Sequence, residues 1–177
     1  MVAKALDLGL RRVVAERVSE LQHGFVAGRT TGDAIVHIET EMLCRYECEL
    51  GEFPGAIFLD QAAAFASISH EWLHLALVAI GVPIWLVTGL LALYHGGRAR
   101  IGWHGGLEAT IGLASGIRQG CPTSGSVWAL VFDPIIRGMY ALLRPRGGSL
   151  RVYADDVAAG VRNLFLDLPA IVQFSER

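Results

Sequence analysis

The stretch from Leu150 to Gly160, LRVYADDVAAG, sets Asp155 and Asp156 side by side in an otherwise apolar run. Leu150, Val152 and Ala154 alternate with Arg151 and Tyr153, the period of a half-buried strand, and Val157 to Gly160 read as its return. The two carboxylates then fall at the tip of a tight hairpin. Adjacent like charges repel, and each is costly to take out of water without a partner. Two chemistries fit such a pair. Aspartate forms turns, because its side chain bonds the backbone two residues on. Alternatively the pair belongs to a cation site, since a hard ion such as Mg²⁺ takes one or two carboxylates plus substrate phosphates. The second answer calls for a third carboxylate from elsewhere in the chain.

The elements that must position these groups follow from the local patterns. Residues 1–21 read as an amphipathic helix. QHGFVAGRTTGDA, residues 22–34, is a glycine-punctuated loop whose Thr30, Thr31 and Asp33 start the next helix, expected over 34–50 with Ile35, Ile38, Met42 and Tyr46 at helical intervals. Gly51 and Pro54 end it. GAIFLD, residues 55–60, is an apolar run of buried-strand type that closes on Asp60. Glycines 96, 97, 102, 105 and 106 bracket a hairpin around Arg98 to Ile101. GLASGIRQGCPTSGS is a loop leading into a helix in which Pro134 is an expected kink or break. If the strand ending at Asp60 neighbours the Asp155–Asp156 hairpin in one sheet, three carboxylates converge at its edge.

At 177 residues the chain suits one domain. It is 53% hydrophobic and only 18% charged, which suits part of a larger assembly whose surfaces meet neighbours. The net charge of −2 announces no nucleic-acid partner, so any such partner rests on local residues. Three cysteines give no disulfide framework; Cys44 and Cys48, four apart on a helix, lack a second ligand pair for zinc. The start has no signal-peptide pattern, so an intracellular, reducing compartment is expected, nuclear or cytoplasmic. Residues 72–94 carry no formal charge and are long enough to span a bilayer, yet Gly81-Val82-Pro83 interrupts them. Two buried helices account for the stretch as well as a membrane span does, and no membrane partner is expected.

The constellation resembles a reverse transcriptase of the non-LTR retrotransposon (LINE-like) and group II intron kind. Four blocks carry the resemblance, in the family's order: QHGFVAGRTTGDAI, FLDQAAAFASISHEWL, GIRQGCPTSG and YADD. YADD together with Gln-Gly-Cys-Pro points to the LINE-like enzymes. The implied fold class is α+β, the fingers and palm of a right-hand polymerase with an antiparallel palm sheet backed by helices. On that resemblance residues 1–54 or so are a fingers portion, about 55–160 the palm, and 161–177 a divergent tail. The thumb and the early fingers block are expected to lie outside this stretch, in a full-length parent.

The resemblance also implies the chemistry. The function is RNA-directed DNA polymerase, with RNA template, DNA primer and dNTP as partners. Two Mg²⁺ ions, replaceable by Mn²⁺, would sit roughly 4 Å apart. Asp60 and Asp155 are the main catalytic and metal-binding residues, and Asp156 supports them. Phe65 matches the aromatic that crowds the sugar 2′ carbon and so favours dNTP. Gln119 and Gly120 would lie against the nucleotide, and Arg29 and Arg118 against the nucleic acid. Cys121 reads as a packing residue and Asp133 as structural. The family often has Asp where this chain has Ala66. The alternative is an inactive, truncated remnant of such an element, and the 177 residues alone are expected not to polymerise.

Overall fold

A computed structural model describes residues 1–44, 52–103 and 105–176. In chain order the elements are α1 (Val2–Arg17), α2 (Thr31–Leu43), β1 (Gly55–Leu59), α3 (Ala64–Ser67), α4 (His70–Ala79), α5 (Ile84–Tyr94), β2 (Arg98–Trp103) and β3 (Gly106–Gly112). They continue with α6 (Ser124–Leu143), a 3₁₀ turn (Arg144–Arg146), β4 (Ser149–Tyr153), β5 (Asp156–Val161) and α7 (Leu164–Ser175). Tyr46, Cys48 and Gly51 lie outside the described residues, so the expected Cys44–Cys48 spacing and the C-terminal stretch of the second helix do as well.

Local chemistry accounts for most of these boundaries. Thr30 caps α2: its hydroxyl accepts the Asp33 amide at 3.2 Å, while the Asp33 carboxylate accepts the Thr30 amide at 2.9 Å. This reciprocal box satisfies two amides that the first helical turn leaves open. The uncharged run 72–94 folds as α4 and α5 broken at Gly81–Pro83, two helices as its composition allowed, but each is buried on one face only, with Leu75, Val78, Ile84 and Trp85 exposed. Among the described residues one helical stretch, Ser124–Arg146, is long and apolar enough to cross a membrane, and most of it is buried within the fold. That helix runs through Pro134 without the expected break. Pro134 costs the helix one i→i−4 bond, but the turns on either side keep theirs.

The contacts divide the chain into two units interleaved in sequence. The first comprises residues 1–17 and 63–131. Its buried side chains include Leu10 and Val14 of α1, Leu73 and Leu77 of α4, Leu86, Val87 and Leu90 of α5, and Val127, Trp128 and Leu130 of α6. Both α1 and α4 pack on α5. Asp7 is buried here and satisfied, accepting Arg11 Nε at 2.7 Å and the Ser126 hydroxyl at 2.7 Å. The antiparallel hairpin β2–β3 also belongs to this unit, with Arg98 opposite Gly112.

The second unit comprises residues 18–62 and 132–177. Its centre is an antiparallel sheet in the order β1-β5-β4. Strand pairing sets Ile57 opposite Ala159, Leu59 opposite Val157, and Val152 opposite Val157 from the other side. Alternation then assigns the faces. Ile57, Val157, Ala159, Val161, Leu150 and Val152 are buried on one face, while Phe58, Arg151, Tyr153, Asp156 and Ala158 take the other. Helix α2 lies along β4 and β5, and α7 against β1. Asp133 is fully buried in this unit, accepting the Ser19 amide at 2.8 Å and Arg137 Nε at 2.5 Å, which is the structural role expected of it.

Candidate active site: the ends of β1 and β5

Asp60 follows directly on β1, one residue past Leu59, whose partner is Val157. Asp156 directly precedes Val157, so Asp60 and Asp156 stand at the same end of neighbouring strands. Both line one cavity of about 310 Å³, together with Thr31, Ala34, Ile35 and Ile38 of α2 and with Phe58, Arg151 and Tyr153 of the sheet. The neighbouring-strand relation that a third carboxylate required is present.

The turn itself differs from expectation. Tyr153 pairs with Asp156, so the two turn residues are Ala154 and Asp155, and Asp156 is already the first residue of β5. Strand alternation sends Asp156 toward the α2 cavity, whereas Asp155, off the strand period, does not line it. The three carboxylates are therefore not gathered into one ready-made cluster. Among the described residues no three His, Cys, Asp or Glu side chains converge as a metal site. Like charges in one place repel until a cation offsets them. The donor chemistry still suits a hard ion, since one or two carboxylates suffice for Mg²⁺ when phosphates complete the shell.

The other expected residues divide between the units. Phe65 lies in the first, half-buried at α3, its ring stacked on Trp128 with centroids 4.9 Å apart. The Phe65 carbonyl accepts the Ile117 amide at 2.6 Å, and the Ile68 carbonyl accepts that of Gly116 at 2.8 Å. Two of the sequence blocks, Ala-Phe-Ala-Ser and Gly-Ile-Arg-Gln-Gly, are thus bonded to each other through the backbone. Gln119 and Gly120 are exposed on the loop beyond, and Gly120 has φ +78°, a left-handed conformation that glycine adopts without strain. Arg118 is exposed, its guanidinium 6.0 Å from the Tyr94 ring centre. Cys121 Sγ sits 3.2 Å from the Thr123 hydroxyl, a half-buried packing position.

Arg29, expected against nucleic acid, turns inward. Its Nη1 donates to the carbonyls of Ser19 at 2.5 Å and Gln22 at 2.6 Å. Backbone carbonyls in a tight loop compete with any phosphate for that nitrogen. Sequence reasoning missed Gln22 altogether. It is fully buried, with hydrogen bonds to Ala154 in the turn between β4 and β5. Its only sequence signal is its place at the head of the first block.

Three non-glycine residues have positive φ: Phe25 (60°), Ala63 (54°) and Ala154 (58°). Each lies within one of the four sequence blocks, and left-handed backbone in such residues persists only where the surroundings impose it.

Comparison with known proteins shows the family and the fold. Residues 1–173 match the family model described as reverse transcriptase (RNA-dependent DNA polymerase). A Xenopus laevis protein, the transposon TX1 uncharacterized 149 kDa protein, is 30% identical over 171 residues, covering 93% of this chain and 13% of its own length. Among solved structures, apo telomerase from Candida tropicalis, truncated from its C-terminal domain, superposes with a TM-score of 0.68 at 13% identity. That match covers 97% of this chain and 35% of the telomerase chain, and it shows a shared mixed α/β polymerase fold. The chain belongs to the reverse transcriptase (RNA-dependent DNA polymerase) family, as a reverse transcriptase domain of the non-LTR retrotransposon type.

Proposed function

We propose that this chain supplies the palm, from about residue 55 to 160, and part of the fingers, up to about residue 54, of an RNA-directed DNA polymerase. In this reading the enzyme extends a DNA primer on an RNA template. The observation that carries it is the placement of Asp60 and Asp156 at one end of paired strands, with Asp155 on the adjoining turn. Asp60 and Asp155 would hold two Mg²⁺ ions, or Mn²⁺ in their place, with Asp156 in support; such ions, when bound, stabilise the attacking and leaving oxygens of an in-line displacement. Phe65 excludes a ribose 2′-hydroxyl, and Gln119 and Gly120 line the nucleotide. Arg118 contacts the template or primer backbone, while Arg29 holds the loop that contains Gln22.

The chain spans 13% of the length of its Xenopus relative, so the assay belongs in a full-length polymerase that includes the flanking segments. There, Mg²⁺-dependent primer extension on RNA should fall by on the order of a hundredfold or more in Asp155→Asn and in Asp60→Asn, since metal-ion stabilisation is worth several kcal/mol. Asparagine keeps the shape and removes the charge. Extension at the parental rate in either variant refutes the assignment.

A further inference from the structure

Ala154 occupies the first position of the two-residue turn between β4 and β5, with φ +58°. Asp155, the second turn residue, does not share that left-handed φ. A turn with positive φ at its first position only follows the type II′ pattern, which favours glycine there. A Cβ at that position is strained. Something must hold it.

Gln22 does so through both ends of its amide. Its Nε2 donates to the Ala154 carbonyl at 3.0 Å, and its Oε1 accepts the Ala154 amide at 2.9 Å and the Gly24 amide at 2.7 Å. On either side the backbone of the same segment bonds β4: the Val152 amide donates to the Leu21 carbonyl at 2.9 Å, and the His23 amide to the Val152 carbonyl at 2.7 Å. The side-chain amide thus presents the donor–acceptor pair of a peptide unit. It extends a parallel bridge past the end of β4, out to the turn. Gly24 completes the fit, since a Cβ there would stand 2.1 Å from the Ala154 nitrogen. Only a glycine permits that approach.

We infer that Gln22 is a positioning residue for the polymerase chemistry: by clasping Ala154 in its left-handed conformation it fixes the direction in which Asp155 projects. This rests on the polymerase reading above for its purpose, though not for its geometry. The amide suits the task because it is uncharged, so it remains buried without a counter-ion, and because it donates and accepts at once. Leucine fills the volume and makes none of these bonds. Glutamate keeps the acceptor and loses the donor. Asparagine is one methylene too short to reach both groups.

Two measurements on the 177-residue chain test this. The first is amide hydrogen exchange. In Gln22→Leu the Ala154 and Gly24 amides should exchange at least roughly tenfold faster than in the parent, the scale of one lost hydrogen bond, while the Val157 and Ala159 amides in β5 keep their rates. Unchanged protection at Ala154 overturns the inference. Should Gln22→Leu unfold, Gln22→Met, unbranched and of nearly the same length, provides the same comparison with the amide donor and acceptor both removed, and faster exchange at Ala154 is again required. The second measurement is the Mn²⁺ dissociation constant. It should rise by roughly tenfold in Gln22→Leu, the population cost of an unsupported left-handed alanine. It should return to within about threefold of the parent when Ala154→Gly is added, because glycine takes that conformation nearly as readily as any other. A purely structural defect would not be repaired by a second substitution in the turn, so failure of this rescue also overturns the inference. A parent chain that binds no Mn²⁺ removes support from the metal-site reading, and the exchange comparison then decides the clasp by itself.

Discussion

The rings of Phe65 and Trp128 are stacked, 4.9 Å between centroids and 15° from parallel. Trp128 is fully buried in α6 and Phe65 is half-buried, so one face of the Phe65 ring rests on a buried aromatic. In the polymerase reading proposed above, a ring held in this way would stand as the wall against a sugar substituent.

Phe65→Ala should accordingly do two things. In a full-length polymerase it should raise NTP incorporation relative to dNTP in a primer-extension competition, and unchanged discrimination would refute the sugar-gate role. It should also cost stability. The lost stack alone is worth about 0.5–1.5 kcal/mol, to which lost burial adds. Phe65→Tyr keeps the stack and should leave both properties near the parent.

The two arginines assigned by sequence should respond in opposite ways. Arg29→Ala removes two charge-assisted bonds to loop carbonyls and should lower unfolding free energy in urea by about 1.5–3 kcal/mol. The salt dependence of RNA binding should not change with it. Arg118→Ala should leave stability within about 1 kcal/mol, since its exposed contact with Tyr94 is weak. The slope of log affinity against log salt should then fall by about one. A reversed pattern would return Arg29 to the nucleic-acid surface.

Asp133→Ala should be destabilising without touching the strand ends. The Ser19 amide loses its acceptor, at a cost of about 1–3 kcal/mol for a donor in a part-buried loop. Urea denaturation of the variant gives the number, and parental stability would remove the structural role assigned to Asp133.

Acid should weaken the second unit through His23. Burial pushes its imidazole below the ordinary value of 6.5, and the charges of Arg29, Arg151 and His37 act in the same sense, against a raising bond from the Leu21 carbonyl. The unfolded chain therefore takes up the proton first as pH falls. The stabilisation is complete above about pH 6.5 and declines as pH drops through the lowered folded value. Thermal midpoints of the parent should fall over that window, and those of His23→Gln should be flatter. Parallel pH profiles would show that His23 does not govern this response.

What the sequence determined is what short-range chemistry controls. Alternation in Leu150–Tyr153 and the apolar run at Gly55–Leu59 identify two strands and put Asp60, Asp155 and Asp156 at their ends, because a strand's period is visible within five residues. The break at Gly81–Pro83 and the cap at Thr30 are equally local. The four blocks in order identify the family, since each block carries residue types that the fold or the chemistry needs. The tertiary structure decided the rest. Whether Asp155 or Asp156 sits in the turn depends on the pairing of Tyr153 with Asp156, and one residue of register reverses the direction of a side chain. Arg29 reads as an exposed loop charge until the carbonyls of Ser19 and Gln22 are folded around it. Gln22 gives no local sign of its role, because its partner Ala154 lies 132 residues away in the chain and meets it only when the first loop is laid along β4.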